Sequence, residues 1–379
     1  MIPAPFTRPS PAGHHVSAHR EARDFDACAI TNGVIEEKEK RVSRRTVIAA
    51  AIVAASLVFG ASFAAASSTG GSLKGAGSTF VFPLVSQWQA NYKNAQITYG
   101  SVGSGAGIAA ITARTVDFGA SDAPLSKDQF AACKGCEQIP WALSSTSVPY
   151  NVPGVSYGLR LTGKILANIY LGHITKWNNS AIKKINPGVK LPDLKITPVF
   201  RSDGSGTSWN FTDYLSRVSP EWKSKVGVGT QPSFPTGIGG KGSSGLAGVV
   251  SRTDGAIGYV DEAYSLKNGF KVARIQNRAG VFQLPGLGGI KAAAATIHRV
   301  PSNGALSIVN PPKSQKRAYP ICTFTYVIVP LKSNKAATLK QFISWAITGG
   351  QKYGMPLQFY PLPKLVQTAD KTFVRKIHS

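Results

Sequence analysis

The chain has 379 residues, 43 % of them hydrophobic and 16 % charged, with 43 Lys+Arg against 18 Asp+Glu and a formal net charge of +25. That length gives room for two to three domains with ample core, and the balance of apolar and charged residues excludes a disordered chain. The positive charge speaks to encounter with anions, anionic polymers or membrane surfaces, not to fold.

The first 66 residues read as a leader. Residues 1–45 are polar and irregular, and end in Arg41-Val42-Ser43-Arg44-Arg45; 21 uncharged residues, Thr46–Ala66, follow and close on Ala64-Ala65-Ala66. A basic flank, an apolar run and small residues before the break make a secretory signal, and Ser43-Arg44-Arg45-Thr46 resembles a twin-arginine export motif. A retained membrane anchor is the alternative, since the run is just long enough to span. The exported protein is expected to begin near Ser67. Residues 1–66 hold 8 Lys+Arg and 6 Asp+Glu, which leaves the remainder at +23, from 35 against 12.

A short strand begins at Leu73 and runs into Gly75-Ala76-Gly77-Ser78-Thr79-Phe80. Phe82, Val85, Trp88 and Tyr92 follow at helical spacing. Thr79 thus sits at a helix start, behind small residues that let backbone approach a ligand. Gln96–Tyr99 predicts a second strand, Gly100–Gly107 a small-residue turn with Ser104 near a helix cap, and Ile108–Arg114 a helix. Val116–Asp122 predicts a strand with Asp122 at its carboxyl end.

Cys133 and Cys136 form Cys-Lys-Gly-Cys, and in an exported chain a disulfide across the Lys134-Gly135 turn is the favoured reading. A thioredoxin-like redox pair lacks the strand expected before it, and a zinc site would need two further ligands. Cys28 falls in the leader and Cys322 in an apolar strand. His14, His15 and His19 in the leader are not expected to bind metal.

Leu143–Val155 is rich in Ser, Thr, Pro and Asn, with Tyr150–Gly154 the expected crossover between domains. Helices are expected at Ile165–Gly172 and Trp177–Asn186, and a strand at Lys195–Phe200. Arg201-Ser202-Asp203-Gly204-Ser205-Gly206-Thr207 then opens the helix Ser208–Leu215. Strand, Gly/Ser/Thr turn and helix together present free backbone N–H groups and a positive dipole end, which suits an anion. Arg201 adds a planar fork of donors, Ser205 and Thr207 add hydroxyls, and Asp203 is placed to hold Arg201. The plainer reading of this stretch is a capped helix beside a surface ion pair.

Gly237–Gly245 fails the nucleotide P-loop pattern, because Gly242 rather than Ser or Thr follows Lys241; it reads as a turn into a helix near Leu246–Ser251. Ala256–Val260 is a strand. The chain is loop-rich from Pro301 to Ile321–Val329, a strand buried on both faces. Helices near Ala337–Thr348 and Leu365–Ile377 end it. The alternation of strands and helices predicts parallel sheets covered on both faces, where ligands bind beyond the strands' carboxyl ends.

Gly75–Phe80, Val116–Pro124, Ile169–Gly172 with Lys176-Trp177, Arg201–Ser208, Gly239–Gly242 and Gly255–Val260, in this order from about Gly71 onward, resemble the phosphate-binding protein of the bacterial ABC phosphate importer. The resemblance implies an α/β, two-lobed periplasmic-binding-protein-like fold with a hinge between two α/β domains. The division expected is 1–66 leader, 67–151 first part of lobe 1, 152–320 lobe 2, and 321–379 second part of lobe 1. It also implies a monomeric receptor that binds inorganic phosphate and delivers it to a membrane permease, with no catalysis, cofactor, metal or nucleic acid. Carried over by position, the anion contacts fall on Thr79, Phe80 (through its backbone N–H), Ser104, Asp122, Arg201, Ser205, Gly206 and Thr207, with Ser78 and Asp203 in support. Ser78 replaces a common Ala, and Gly105-Ala106-Gly107 departs from a Ser-Gly-Gly run.

The rival is a secreted phosphatase or serine hydrolase using Ser104 or Ser205. Neither serine sits in a Gly-x-Ser-x-Gly elbow, and His173, His298 and His378 lie away from every motif. Clustered His/Asp metal ligands are also absent from the sequence, and a nucleic-acid binder would rest on charge alone.

Overall fold

A computed structural model describes residues 71–379. The leader, its twin-arginine motif, Cys28 and the three leader histidines lie outside the described residues. Among the described residues, no helix is long and apolar enough to cross a membrane.

The chain starts with strand β1 (Ser72–Gly77), helix α1 (Phe82–Asn91), β2 (Gln96–Ser101), α2 (Ser104–Thr112), and β3 (Phe118–Ser121). The apolar residues picked out by spacing bury the inner face of α1, with Val85 and Trp88 fully enclosed, and Trp88 Nε1 donates to Gly350 C=O at 2.8 Å. A short capped helix, Lys127–Cys133, leads to β4 (Cys136–Ser147) and then β5 (Pro149–Asn151). After the helices Gly163–Tyr170 and Ser180–Ile185 come β6 (Thr197–Arg201), α3 (Gly206–Val218), β7 (Ile238–Gly240), and α4 (Gly242–Arg252). Then come β8 (Ala256–Ile257), β9 (Val260–Asp261), the helix Glu262–Lys267, and β10 (Lys271–Val272). The long strand β11 (Cys322–Pro330) and helices α5 (Ala336–Ala346) and α6 (Lys364–Arg375) complete the chain.

These strands form a six-stranded sheet ordered β9-β4-β11-β3-β1-β2 and a five-stranded sheet ordered β10-β5-β8-β6-β7. The expected parallel pairing holds for β1 with β2 and β3, and for β6 with β7 and β8. It fails at β11, which runs antiparallel to both β3 and β4, so each sheet is mixed. A third, small sheet joins Arg160–Leu161, Arg274–Gln276 and Phe282–Gln283.

The largest difference from the sequence reading is β4. Its 12 residues are all buried, including the Ser144-Ser145-Thr146-Ser147 run that reads as loop. A strand covered on both faces by other elements shows no alternation, and hydroxyl side chains fit where the two lobes meet closely. Its ladder with β11 extends from Cys136↔Pro330 to Ser145↔Cys322, with a bulge that absorbs Trp141. The helix expected from Trp177 begins only at Ser180, because Trp177 is buried and its Nε1 donates to Gly255 C=O at 3.0 Å.

The two large sheets are joined where chain segments leave one and enter the other. β4 passes through Val148 into β5, and β8 passes through Gly258-Tyr259 into β9, which pairs with Ser147 and Thr146 of β4. Two residues of the 152–320 span therefore belong to the first sheet. Such paired, short crossovers are where a two-lobed molecule hinges.

Candidate functional site

The carboxyl ends of β1, β3 and β6 converge where the lobes meet. β1 can approach β3 because Gly77 has φ +146°; a Cβ there would fall 2.1 Å from Ala120 C=O. Ser78 follows. Its N–H donates to Ala120 C=O (2.9 Å), its Oγ accepts the N–H of Phe80 (3.0 Å) and Val81 (3.3 Å), and its hydroxyl proton goes to Asp122 Oδ1 at 2.5 Å. Tyr99 O–H donates to the Ser78 carbonyl at 2.9 Å. Phe80 is fully buried, its ring edge-on to Phe359 at 6.0 Å, so its N–H points inward onto Ser78 Oγ.

Asp122 ends β3 and is 1 % exposed. Ser104, at the head of α2, donates to its Oδ2 at 3.5 Å and accepts its backbone N–H at 3.3 Å. Burial pushes the Asp122 carboxyl up to about 7, against the opposing pull of Ser78, of the Arg201 charge and of Ser104.

From the other lobe, β6 delivers Arg201, 3 % exposed. Its Nε and Nη2 donate to the two oxygens of Asp203 at 2.7 and 2.6 Å, a bidentate pair that fixes the guanidinium plane and leaves Nη1 outside the pair. Asp203 Oδ1 also accepts Gly242 N–H at the head of α4 (2.9 Å). Burial alone would raise the Asp203 carboxyl, but the bonds and charge of Arg201 outweigh it and hold the group below its usual range. Ser205 caps α3 by accepting Ser208 N–H at 3.1 Å. Gly206 lies against Asp122: a Cβ on it would fall 2.6 Å from Asp122 N and 2.7 Å from Ser104 Oγ. Thr207 Oγ1 is buried and has no partner among the described residues.

The lobes touch at two points around these groups. Gly105 N–H donates to Gly204 C=O at 2.8 Å, and the Thr79 and Ser243 hydroxyls lie 2.8 Å apart, with Ser243 N–H donating to Thr79 Oγ1 at 3.2 Å. Just outside, a cleft of about 600 Å³ is lined by residues of both lobes, among them Thr79, Asp203, Lys241 and Tyr264. A buried carboxylate, a clamped guanidinium, two helix N-termini and a buried hydroxyl without a partner among the described residues are thus gathered at the junction of the lobes. Mostly donors, with one acceptor, suit an oxyanion that still carries a proton.

Sequence reasoning placed Thr79, Ser104, Asp122, Arg201, Asp203, Ser205, Gly206 and Thr207 at strand ends, and the fold gathers them. It missed three groups. Ser243 lies in the Gly-Lys-Gly-Ser run that was read only as a turn. Tyr259 O–H bonds to Ser208 Oγ (2.7 Å) and accepts Arg201 N–H (3.0 Å), and Asp261 lies one residue beyond the resembling Gly255–Val260 block. The signal available for Ser243 was a hydroxyl at the second position of a glycine-opened helix. The Cα atoms of Cys133 and Cys136 are 5.6 Å apart, within disulfide range, with Arg114 Nη1 at 3.4 and 3.3 Å from their sulfurs.

Residues 63–349 match the PBP superfamily domain. A phosphate-binding protein PstS from Xylella fastidiosa is 43 % identical over 299 residues, 77 % of this chain and 81 % of that protein. One from Pasteurella multocida is 38 % identical over 301 residues, 78 % of this chain and 87 % of that protein. A solved periplasmic phosphate-binding protein with phosphate bound superposes with a TM-score of 0.65 at 20 % identity, over 79 % of this chain and 92 % of that one, which shows the shared fold. Fold and site define a two-lobed binding protein of the PBP superfamily. Within it, the chain belongs to the family of PstS phosphate-binding proteins.

Proposed function

We propose that this chain is an exported receptor that captures inorganic phosphate between its lobes and delivers it to the permease of an ABC importer. The observation that carries this is Asp122: a buried carboxylate, hydrogen-bonded by Ser78, set among Arg201, Ser104 and the head of α3. A site for a fully deprotonated anion gains nothing from a carboxylate, whereas phosphate at neutral pH donates its own proton to one. Thr79, the Phe80 backbone, Ser104, Asp122, Arg201, Ser205, Gly206 and Thr207 are the proposed contacts. Ser78 and Asp203 are their supports. Lobe 1 is taken as residues 71–148 and 321–379 together with the strand Val260–Asp261, and lobe 2 as the rest of residues 149–320, which moves the expected boundaries at residues 151 and 152 by three positions. Export and a place in the cell envelope are supported by the leader pattern and by the fold shared with a periplasmic phosphate-binding protein.

The chain is read as a receptor rather than a hydrolase. Ser104 Oγ is engaged with Asp122 and Ser205 Oγ with a helix N–H, while His173 is paired with Glu221 at 2.9 Å. Ser205 has no base within hydrogen-bond reach, and the one carboxyl near Ser104, at 3.5 Å, is held by Ser78 at 2.5 Å; no imidazole is hydrogen-bonded to either serine among the described residues. Calorimetric titration with phosphate, arsenate and sulfate tests the proposal, beside an assay for turnover of a generic phosphate ester. The first two anions should bind, sulfate should bind far more weakly, and no ester should be hydrolysed. Absence of phosphate binding, or turnover lost on Ser104→Ala or Ser205→Ala, would overturn it.

A further inference from the structure

Strand β6 loses a neighbour just where it delivers Arg201. It pairs with β8 at Thr197↔Ala256 and Pro198↔Ile257, and Thr197 N–H donates to Gly255 C=O at 3.0 Å. Hydrogen bonds in a parallel ladder recur every second residue, so a continued ladder would bring Arg201 N–H to the main-chain carbonyl of Tyr259. The ladder does not continue. β8 ends at Ile257, and the chain turns through Gly258, whose N–H donates to Pro149 C=O at 2.9 Å, on its way to β9 and the other sheet. The edge of β6 is thus left without a strand at Arg201.

Two tyrosine hydroxyls close that edge. Tyr170 Oη lies 3.2 Å from the carbonyl oxygens of both Val199 and Ile257. Tyr259 Oη accepts Arg201 N–H at 3.0 Å and shares a second bond, of 2.7 Å, with Ser208 Oγ. The Tyr259 side chain is fully buried, and its ring stacks on Phe211 of α3 with centroids 4.3 Å apart and 12° between the planes. Burial pushes its hydroxyl up to about 12, so the group keeps its proton and serves both partners at once. Ser208 belongs to the first turn of α3, where its own N–H donates to the cap Ser205. Arg201 is therefore held by a side chain that stands on the crossover between β8 and β9, the segment about which the lobes turn.

We propose that Tyr259, its hydroxyl steadied by Ser208, is a positioning residue that aligns Arg201 with bound phosphate. The inference rests on the phosphate reading above. The Asp203 clamp sets the plane of the guanidinium, and the Tyr259 bond sets the main chain from which that side chain projects. Because Tyr259 lies on the crossover itself, the closing movement of the lobes and the placing of Arg201 are one event.

The test is calorimetric titration of the exported chain with inorganic phosphate, for wild type, Tyr259→Phe, Arg201→Ala and the double variant. The urea midpoint of each protein without phosphate is measured alongside. Phenylalanine keeps the ring and its stacking and removes the hydroxyl alone. Tyr259→Phe should weaken phosphate binding at least about fivefold, the lower end of what a buried N–H loses with its acceptor. In the Arg201→Ala background the same substitution should weaken binding at most about twofold, because the group that it positions is gone. Its effect on the urea midpoint should be the same in both backgrounds, which separates positioning from stability. Unchanged phosphate affinity in Tyr259→Phe, or an equal loss in both backgrounds, overturns the role of Tyr259. Should Tyr259→Phe fail to fold, Ser208→Ala is measured in the same two backgrounds: a loss that requires Arg201 supports the proposal, and no loss or an equal one overturns it. A wild type that binds no phosphate overturns the underlying reading, whereas one that binds it no more tightly than Tyr259→Phe overturns this inference alone.

Discussion

Asp122→Asn is the sharpest perturbation of the proposed site. Above about pH 7 the wild-type carboxylate is ionised, accepts from Ser78 at 2.5 Å and is 1 % exposed, so it can neither turn away from a bound anion nor be screened by water. Phosphate offers it a proton, and sulfate offers only lone pairs. With the carboxyl at about 7, receiving sulfate at about pH 8 requires protonating it first, which costs about tenfold or about 1.4 kcal/mol, and about tenfold more for each further pH unit. The asparagine still accepts from Ser78 through its oxygen while its nitrogen donates toward the anion. It should recover about tenfold in sulfate affinity at about pH 8 and roughly a hundredfold, about 2.7 kcal/mol, at about pH 9. The wild type carries a further signature. Because burial raises the carboxyl to about 7, sulfate binding above that pH requires uptake of one proton. Wild-type sulfate affinity should therefore fall about tenfold per pH unit above neutrality and level off below it, and the asparagine should remove that slope. The assay is competition calorimetry with both anions at matched ionic strength. Wild-type sulfate affinity that stays level between about pH 7 and about pH 9, or that falls equally in the asparagine variant, would refute the role assigned to Asp122.

Arg201→Ala should weaken phosphate binding by about 2–5 kcal/mol, the usual loss for a buried charge-assisted contact, while Asp203→Ala should cost less because the guanidinium remains but loses its clamp; equal and slight effects in titration would reduce the loop to a helix cap. Cys133 and Cys136 should be oxidised to each other in the exported protein, contributing less than the roughly 3 kcal/mol of a 15-residue loop, and two free thiols found by alkylation and mass would disprove it. Asp370 on α6 is fully buried with neither oxygen partnered among the described residues, and burial pushes its carboxyl up to about 9. The folded chain then binds a proton that the unfolded chain has lost, so stability falls as pH rises from about 4 to about 9. Asp370→Asn should leave stability near wild type at the acid end of that window and raise the urea midpoint by an amount that grows toward its alkaline end; parallel pH profiles would contradict this. Glu262, raised by burial to about 8, and Asp122 act in the same sense, so some slope should survive in the variant.

The sequence alone determined the local pieces of the site. Strand, small-residue turn and helix are adjacent in the chain, so Thr79, Ser104, Asp122 and Arg201 to Thr207 could be assigned to strand ends from spacing and turn chemistry. The Arg201–Asp203 pair spans two residues and was equally legible. Tertiary structure alone decided what depends on distant partners. Thr79 meets Ser243 from 164 residues away, and β4 is a strand because β11, late in the chain, pairs with it along nearly its whole length. The polar run Ser144–Ser147 reads as loop until both of its faces are seen to be covered. Asp261 is an ordinary helix cap in sequence, and it becomes a buried acid only because β9 crosses from one sheet to edge the other against β4. Local conformation is set by neighbours along the chain, whereas burial, and with it the charge state of a carboxyl, is set by what the fold packs around it.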